Sequence, residues 1–134
     1  MLWDTAMLKQ FEVRPTEHPN VSLCYSHVRS KLQFAVKDFV EKRITFAHEE
    51  AVYSYFSASA NSEEEFASVE GVERGETHYG VMRVSRDPVR GVVVEAAMKC
   101  DGKLPVSNAV LKTLVPSAVK DWTSKLQTYL HTRR

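Results

Sequence analysis

The C-terminal part of the chain carries an apolar stripe with the period of an α-helix. Six apolar side chains follow one another in steps of three or four residues: Leu111, Val115, Val119, Trp122, Leu126 and Tyr129. Such steps return each side chain to one side of a helix. Because an amphipathic helix gains its stability by burying its apolar face, something apolar must lie beneath this stripe. The rest of the chain must supply it, either as a protein core alone or as a core with a bound apolar ligand.

The residues that flank the stripe mark the limits of this helix. Pro105 stands at its entry, and Ser107 and Asn108 are both residue types that cap helix N-termini. Pro116 lies in the middle and removes one backbone hydrogen bond. The stripe keeps its phase across Pro116, which favours one kinked helix of about 25 residues over two separate helices.

Strand-like segments precede the helix, each bounded by turn residues and rich in alternating, β-branched or aromatic positions. They are Lys9 to Arg14, Val21 to Tyr25, Lys37 to Phe46, Ala51 to Ser59, His78 to Ser85 and Val92 to Lys99. Between the fourth and the fifth, Asn61 to Glu76 holds six glutamates and one arginine, and this composition predicts an exposed loop. Consecutive antiparallel strands followed by one long helix predict an α+β fold, in which a curved sheet wraps the helix and leaves an interior cavity.

Size and charge exclude several classes of function. The chain has 134 residues, which form a single domain over residues 1–134, and its 18 lysines and arginines nearly balance its 17 aspartates and glutamates. It has no basic stripe with interleaved aromatics, so nucleic acid is not an expected partner. The first residues lack the features of a signal peptide, and no apolar run is long enough to span a membrane. The sequence therefore predicts a cytoplasmic protein.

No spacing in the sequence is typical of a metal site or of a catalytic nucleophile. The five histidines form neither H-x-H nor H-E-x-x-H, and there is no G-x-S-x-G elbow. We therefore expect no metal, no cofactor and no enzymatic activity.

Four short motifs, taken in order along the chain, indicate a family. They are Trp3-Asp4, Lys37-Asp38-Phe39-Val40, Gly80-Val81-Met82-Arg83 and Asp101-Gly102-Lys103-Leu104-Pro105. In order and spacing they resemble the START lipid-transfer domains, named after the steroidogenic acute regulatory protein, which commonly have Arg-Asp-Phe-Val at the second motif. The resemblance covers nearly the whole chain but only the C-terminal part, about two-thirds, of such a domain.

This resemblance implies a helix-grip fold, in which a curved antiparallel sheet surrounds a tunnel for one lipid and the C-terminal helix closes the tunnel as a lid. It implies that the chain is truncated at its N-terminus relative to the family, so that part of the tunnel wall is absent. It also implies a flexible loop over Arg29 to Val36, with Leu32 and Phe34 at its apolar tip. The implied function is non-catalytic binding and transfer, or sensing, of a single lipid.

Such a tunnel needs apolar walls and one or two polar groups that orient the ligand. On the strands the candidate wall residues are Leu23, Tyr25, Phe39, Tyr53, Tyr55, Met82, Val94 and Met98. On the helix they are Val115, Val119, Trp122 and Leu126. Packing in an ordinary protein core is the alternative for each of them, because strand aromatics and methionines commonly fill cores.

Arg43 is the candidate polar group, because it shares one strand face with Phe39 and Glu41. A buried arginine needs an acidic partner. In sterol-binding members of the START family, the arginine that Arg43 matches pairs with an acidic residue of the preceding strand. Here that strand, Val21 to Tyr25, has no acid. We expect Glu41 to take its place, and this departure weakens the case for a sterol; a surface pair of Glu41 and Arg43 is the alternative.

The expected partners are a phospholipid or a sterol, and a membrane surface. The polar side of the C-terminal helix carries more cations than acids, and its charged residues are Lys112, Lys120, Asp121, Lys125, Arg133 and Arg134. Cations placed in this way attract anionic headgroups, which predicts a peripheral location at membranes. Exposed edges of a truncated sheet pair readily with other chains, which predicts self-association. Two alternative functions are a START-like scaffold or regulatory fragment that binds no lipid, and a helix-grip cyclase or hydrolase.

Overall fold

The computed structural model of the chain describes residues 8–29, 36–101, 103 and 106–132. Its elements are β1 (Leu8–Pro15), β2 (Val21–Arg29), β3 (Val36–His48), β4 (Ala51–Ala58), the short helix α1 (Ser62–Glu65), β5 (Glu73–Arg74), β6 (Glu76–Asp87), β7 (Gly91–Asp101) and α2 (Asn108–His131). Six strands form one antiparallel sheet in the order β1-β2-β3-β4-β6-β7, and the short β5 pairs with β3 in parallel. The predicted α+β helix-grip architecture, a curved sheet followed by one long helix, is confirmed.

Some predicted features lie outside the described residues. They are Trp3-Asp4, the loop tip at Leu32 and Phe34, positions 102, 104 and 105 of the motif before the helix, and the cations Arg133 and Arg134.

The alternation of side chains along each strand gives the sheet a concave and a convex face. On β3, Phe39, Glu41 and Arg43 point to the concave side, where they line the same cleft as Trp122 of α2. Val40, which alternates with them, packs into a cluster on the convex side. The predicted sharing of one face by Phe39, Glu41 and Arg43 is therefore confirmed.

The best buried apolar cluster of the described residues lies on the convex face. Leu23, Tyr25, Val40 and Phe66 are each no more than 9% exposed. Phe66 belongs to the segment between β4 and β5, and its ring stacks on the Tyr25 ring with the centroids 4.8 Å apart. The Arg14 guanidinium covers the Phe66 ring at 3.9 Å from its centroid. This segment was predicted to be an exposed loop, but it contains α1 and β5 and contributes a core residue.

Two ion pairs hold β5 against the start of β3. Asp38 and Arg74 are cross-strand partners, as are Lys37 and Glu73. The Arg74 Nε donates to the Asp38 Oδ1 at 2.7 Å, and the Arg74 Nη2 donates to Oδ2 at 3.0 Å. The Lys37 Nζ donates to the Glu73 carboxylate and, at 3.2 Å, to the Lys103 carbonyl oxygen. Neighbouring residues of a strand point to opposite faces, so the two pairs fasten β5 from both sides of the sheet.

The helix α2 runs without interruption across Pro116. The Ser107 hydroxyl accepts a hydrogen bond from the Val110 backbone N–H at 3.4 Å, so Ser107 is the N-cap. The half-buried apolar residues of the helix are Leu111, Leu114, Trp122, Leu126 and Tyr129.

Val115 and Val119 do not share this burial, because they are 52% and 56% exposed. A rotation of the buried line does not account for this difference, because at about 100° per residue Leu126 lies about 60° around the helix from Leu111, on the same side as Val115 at about 40°, and Leu126 is half-buried. Leu114, about 60° to the other side, is also half-buried, and the predicted stripe did not include it.

Candidate functional site

A cleft of about 450 Å³ lies between the concave face and α2. Its apolar lining consists of Leu8, Phe11, Val28, Phe39, Phe56, Met82, Met98 and Trp122. Its polar lining consists of Ser26, Glu41, Arg43, Thr77 and Cys100. This volume is within the range of roughly 300–1,000 Å³ that is typical of sites for one small ligand.

Two glycines let aromatic rings of the cleft lie flat on the sheet. Gly80 is the cross-strand partner of Phe56, and a Cβ added at Gly80 would overlap the Phe56 ring. A Cβ at Gly75 would overlap the ring of Phe39 in the same way. A larger residue at either glycine would push a lining ring away from the sheet, so the two glycines allow the apolar floor of the cleft to lie deep.

The polar centre of the cleft is an ion pair on neighbouring positions of one strand face. The Arg43 Nη2 and Nε donate to the Glu41 Oε2 at 2.7 and 3.2 Å. The Thr77 hydroxyl donates to the Glu41 Oε1 at 2.7 Å. The Arg43 guanidinium also lies over the Phe56 ring, 4.5 Å from its centroid. The predicted pairing of Arg43 with Glu41 is confirmed, and Glu41 is only 8% exposed, so the pair is not an ordinary surface pair.

This pair leaves the centre of the cleft without net charge but with hydrogen-bonding capacity. An arginine carries five N–H donors. Within the described residues, Arg43 directs its Nε and Nη2 at Glu41. The donors of Nη1 therefore face no acceptor that the described part of the chain supplies, and a carbonyl, hydroxyl or phosphoryl oxygen of a ligand would satisfy them.

Cys100 lies beside the same carboxylate. Partial desolvation of its thiol, and then the nearby Glu41 and Asp101 carboxylates, raise the pKa of Cys100. Its thiol is therefore neutral at pH 7 and adds no charge to the cleft.

Of the predicted wall residues, the structure brings together Phe39, Met82, Met98 and Trp122 around the cleft, with Arg43 at its polar centre. Val94 lies on the same face of β7 as Met98 but further along the strand, where it pairs with Val84 outside the cleft lining.

Four predicted wall residues lie on the other face of the sheet. Leu23 and Tyr25 belong to the convex core with Phe66. Tyr53 and Tyr55 also point to the convex side, where both rings stack on Phe46 with centroids 5.6 and 5.9 Å apart. The reason is the register, because the concave residue of β4 that opposes Arg43 is Phe56. The prediction that these four side chains line the cleft is therefore wrong.

On α2, Trp122 alone of the predicted residues lines the cleft. Val115 and Val119 are exposed, and Leu126 is half-buried outside the lining.

Several lining residues were not predicted: Leu8, Phe11, Ser26, Val28, Phe56, Thr77 and Cys100. One signal was present in the sequence, because Ser22, Cys24 and Ser26 give β2 one face of small residues. A face that lies beneath a ligand favours small side chains, so this alternation indicated which side of β2 is concave.

A curved antiparallel sheet that holds a C-terminal helix over an apolar cleft is the fold of StAR-related lipid transfer domains, as the solved structures similar to this chain show. No protein-family model matches the sequence, and no curated protein matches it. The likeness therefore lies in the fold.

Two solved structures illustrate this likeness in fold. Human StAR-related lipid transfer protein 5 superposes with a TM-score of 0.79 at 15% identity, covering 94% of this chain and 61% of that chain. Human STARD10 superposes with a TM-score of 0.75 at 14% identity, covering 95% of this chain and 52% of that chain. The chain thus spans between half and two-thirds of the length of these structures. No helix in the described residues is long and apolar enough to cross a membrane.

Proposed function

We propose that this chain binds one lipid in the cleft between the concave face and α2, and transfers or senses that lipid without catalysing a reaction. The observation that carries the proposal is the cleft itself, an apolar lining around one charge-neutral polar centre. The fold likeness to a human protein named for lipid transfer supports it. Binding an amphipathic molecule requires an apolar surface and one anchoring group, and no reactive side chain.

The polar centre defines how the lipid would lie. Its polar group would accept hydrogen bonds from Arg43, and its apolar part would extend over the Phe39 and Phe56 rings toward Met98. Because Glu41 neutralises Arg43, a neutral or zwitterionic lipid fits better than an anionic one. A neutral or zwitterionic phospholipid and a sterol both meet this requirement. The acid that pairs with Arg43 is Glu41, which lies on β3 with it and not on the preceding strand.

In this proposal α2 is the lid, and the protein exchanges its lipid at a membrane surface from the cytoplasm. Trp122 is the contact between the helix and the cleft. Lys112 and Lys120 are exposed on the helix, whereas Lys125 pairs with Asp121 at 3.0 Å. The exposed lysines would draw α2 to anionic headgroups, at about 1 kcal/mol per cation near the surface.

Lipid extraction and native mass spectrometry of the purified chain give the direct test. We expect one lipid per chain, of a single class. A chain that carries no lipid, even after incubation with vesicles of phosphatidylcholine and cholesterol, would instead favour the scaffold alternative.

A pair of serine variants tests whether the lipid occupies this cleft. With Trp3→Phe as background, Trp122 is the one remaining tryptophan, and phosphatidylcholine with brominated acyl chains should quench its fluorescence. Ser26→Phe fills the cleft floor and should weaken this binding at least tenfold, about 1.4 kcal/mol. Ser57→Phe adds the same ring at an exposed site outside the cleft and should bind as the background does. Equal binding by both variants would place the lipid elsewhere.

A further inference from the structure

Lys37 is a buried cation whose acceptors come from two separate parts of the chain. It is 5% exposed, and its Nζ donates to the Glu73 carboxylate of β5 and, at 3.2 Å, to the backbone carbonyl oxygen of Lys103. A buried ammonium is costly unless acceptors satisfy its donors, so it favours the arrangement in which both partners are in place. Through this one group, β3 and β5 are joined to the connection between β7 and α2.

The backbone at Lys103 has a left-handed conformation, with a φ of 47°. This conformation is unfavourable for a residue that has a Cβ, and lysine lacks the short polar side chain that offsets the cost in asparagine and aspartate. The Lys103 side chain is exposed, so its packing does not hold the turn. Among the described residues, two hydrogen bonds to its backbone hold it. The Lys103 N–H donates to the Asp101 Oδ1 at 2.8 Å, and its carbonyl oxygen accepts from Lys37.

This turn lies where the chain leaves the sheet for the helix. The strand β7 ends at Asp101, and α2 begins at Asn108. Along its length α2 is held loosely, because none of its described side chains is fully buried. The conformation of the turn at Lys103 therefore contributes strongly to the direction in which α2 crosses the sheet, and so to whether Trp122 reaches the cleft.

We infer that Lys37 is a positioning residue for α2. By binding the Lys103 carbonyl oxygen it stabilises the left-handed turn, and the turn directs α2 across the concave face so that Trp122 lies over the cleft. Without the ammonium the turn relaxes, and α2 leaves the cleft more often while the sheet stays folded. Faster release of a lipid, as a consequence, rests on the proposed function, whereas the position of α2 does not.

Two variants of Lys103 test the turn without disturbing a buried group. The background is Trp3→Phe, in which Trp122 is the one remaining tryptophan. Lys103→Val disfavours the left-handed conformation, because a β-branched residue rarely adopts it, whereas Lys103→Asn tolerates it. Acrylamide should quench Trp122 at least about twofold more strongly in Lys103→Val than in the background, and to the background level in Lys103→Asn. Equal quenching in the two variants would overturn the inference.

Lys37→Met tests the cation itself. It removes the donors but keeps an unbranched apolar side chain, and it should raise the quenching of Trp122 as Lys103→Val does. Lys42→Met is the matched control on β3, because the Lys42 Nζ lies 3.8 Å from the Glu65 carboxylate and its side chain is 49% exposed. This control should keep the background level of quenching. Combining Lys37→Met with Lys103→Val should add little to either change, because both act through one turn.

A merely structural role of Lys37 gives a different result. Lys37→Met would then lower the stability in urea but leave the quenching of Trp122 in the folded chain unchanged, or its effect would add in full to that of Lys103→Val. Either result overturns the inference.

Lipid release separates this inference from the proposed function. The chain is loaded with brominated phosphatidylcholine and mixed with an excess of unbrominated vesicles, so that the recovery of Trp122 fluorescence follows release. We expect release at least about threefold faster in Lys103→Val than in Lys103→Asn. If bromine quenches Trp122 in no variant, lipid binding in the cleft is refuted, and acrylamide quenching alone decides the role of Lys37. Equal release rates alongside unequal acrylamide quenching would refute the consequence for lipid release and leave the positioning of α2 supported.

Discussion

The buried pair of Asp38 and Arg74 should be the largest single polar contribution to the stability of the sheet. Asp38 is 1% exposed. Arg74 binds both of its carboxylate oxygens and also donates to the carbonyl oxygens of Ser62, at 3.2 Å, and Phe66, at 3.0 Å. One guanidinium thus ties β3 to the segment that supplies the Phe66 ring to the convex core.

The perturbation that isolates this contribution is Arg74→Met. The variant keeps much of the side-chain volume but leaves the Asp38 carboxylate buried with no guanidinium partner, and removing one member of a buried pair costs about 3–5 kcal/mol. Adding Asp38→Asn removes the orphaned charge. The double variant should therefore be more stable than Arg74→Met alone, by about 1–2 kcal/mol, although it contains one more substitution.

Urea denaturation followed by circular dichroism measures these differences. For a domain of this size, a loss of about 3–5 kcal/mol corresponds to a fall in Tm of roughly 10–20 °C. Arg90→Met is the matched control, because Arg90 pairs with Asp87 at 3.1 Å but its side chain is 72% exposed. Its cost should stay below about 1 kcal/mol. The reasoning is refuted if Arg74→Met costs no more than Arg90→Met, or if the double variant is less stable than Arg74→Met.

Three further predictions concern the core and the cleft. Gly80→Ala should cost about 1–3 kcal/mol in thermal denaturation, because the new methyl group displaces the Phe56 ring. Desolvation by burial, with Asp38 adding to it, raises the pKa of Tyr25 above its ordinary 10.0. The folded chain thus keeps this proton to higher pH than the unfolded chain, so the free energy of unfolding should fall as the pH rises above about 10, and less steeply in Tyr25→Phe. Arg43→Met should weaken phosphatidylcholine binding at least tenfold in the Trp122 quenching assay, whereas Arg83→Met, which removes a convex-face arginine, should not.

The sequence was sufficient for the order of the six long strands and the terminal helix, although not for α1 and β5, because periodicity depends on local pattern alone. The terminal helix, its Ser107 cap and its continuity across Pro116 agree with the prediction. Which strand face is concave was predicted correctly for β3 and wrongly for β2 and β4. For β4 the reason can be traced. The cause is the turn at Glu49 and Glu50, which sets β3 and β4 so that His48 opposes Ala51. Odd-numbered residues of β3 then oppose even-numbered residues of β4, so an inward Arg43 requires an inward Phe56 and outward Tyr53 and Tyr55.

The periodicity of the sequence could not predict the convex core, and the reason is a different one. Phe66 stands alone among glutamates, so no alternation marks it as buried. Its burial depends on Arg74, which is eight residues further along and binds Asp38 on a distant strand. Such contacts depend on tertiary placement and leave no local pattern.

The two faces of the sheet therefore differ in a way that bears on how a ligand would exchange. The convex face holds the buried apolar cluster and the Asp38 ion pair, whereas none of the described side chains of α2 is fully buried. Separating α2 from the sheet exposes only half-buried groups such as Trp122, so it costs less than opening the convex core. We therefore expect the cleft to open while the sheet stays folded, and hydrogen exchange should show α2 amides exchanging well before those of β2 and β3. Equal protection of α2 and these strands would mean that ligand exchange requires unfolding of the domain.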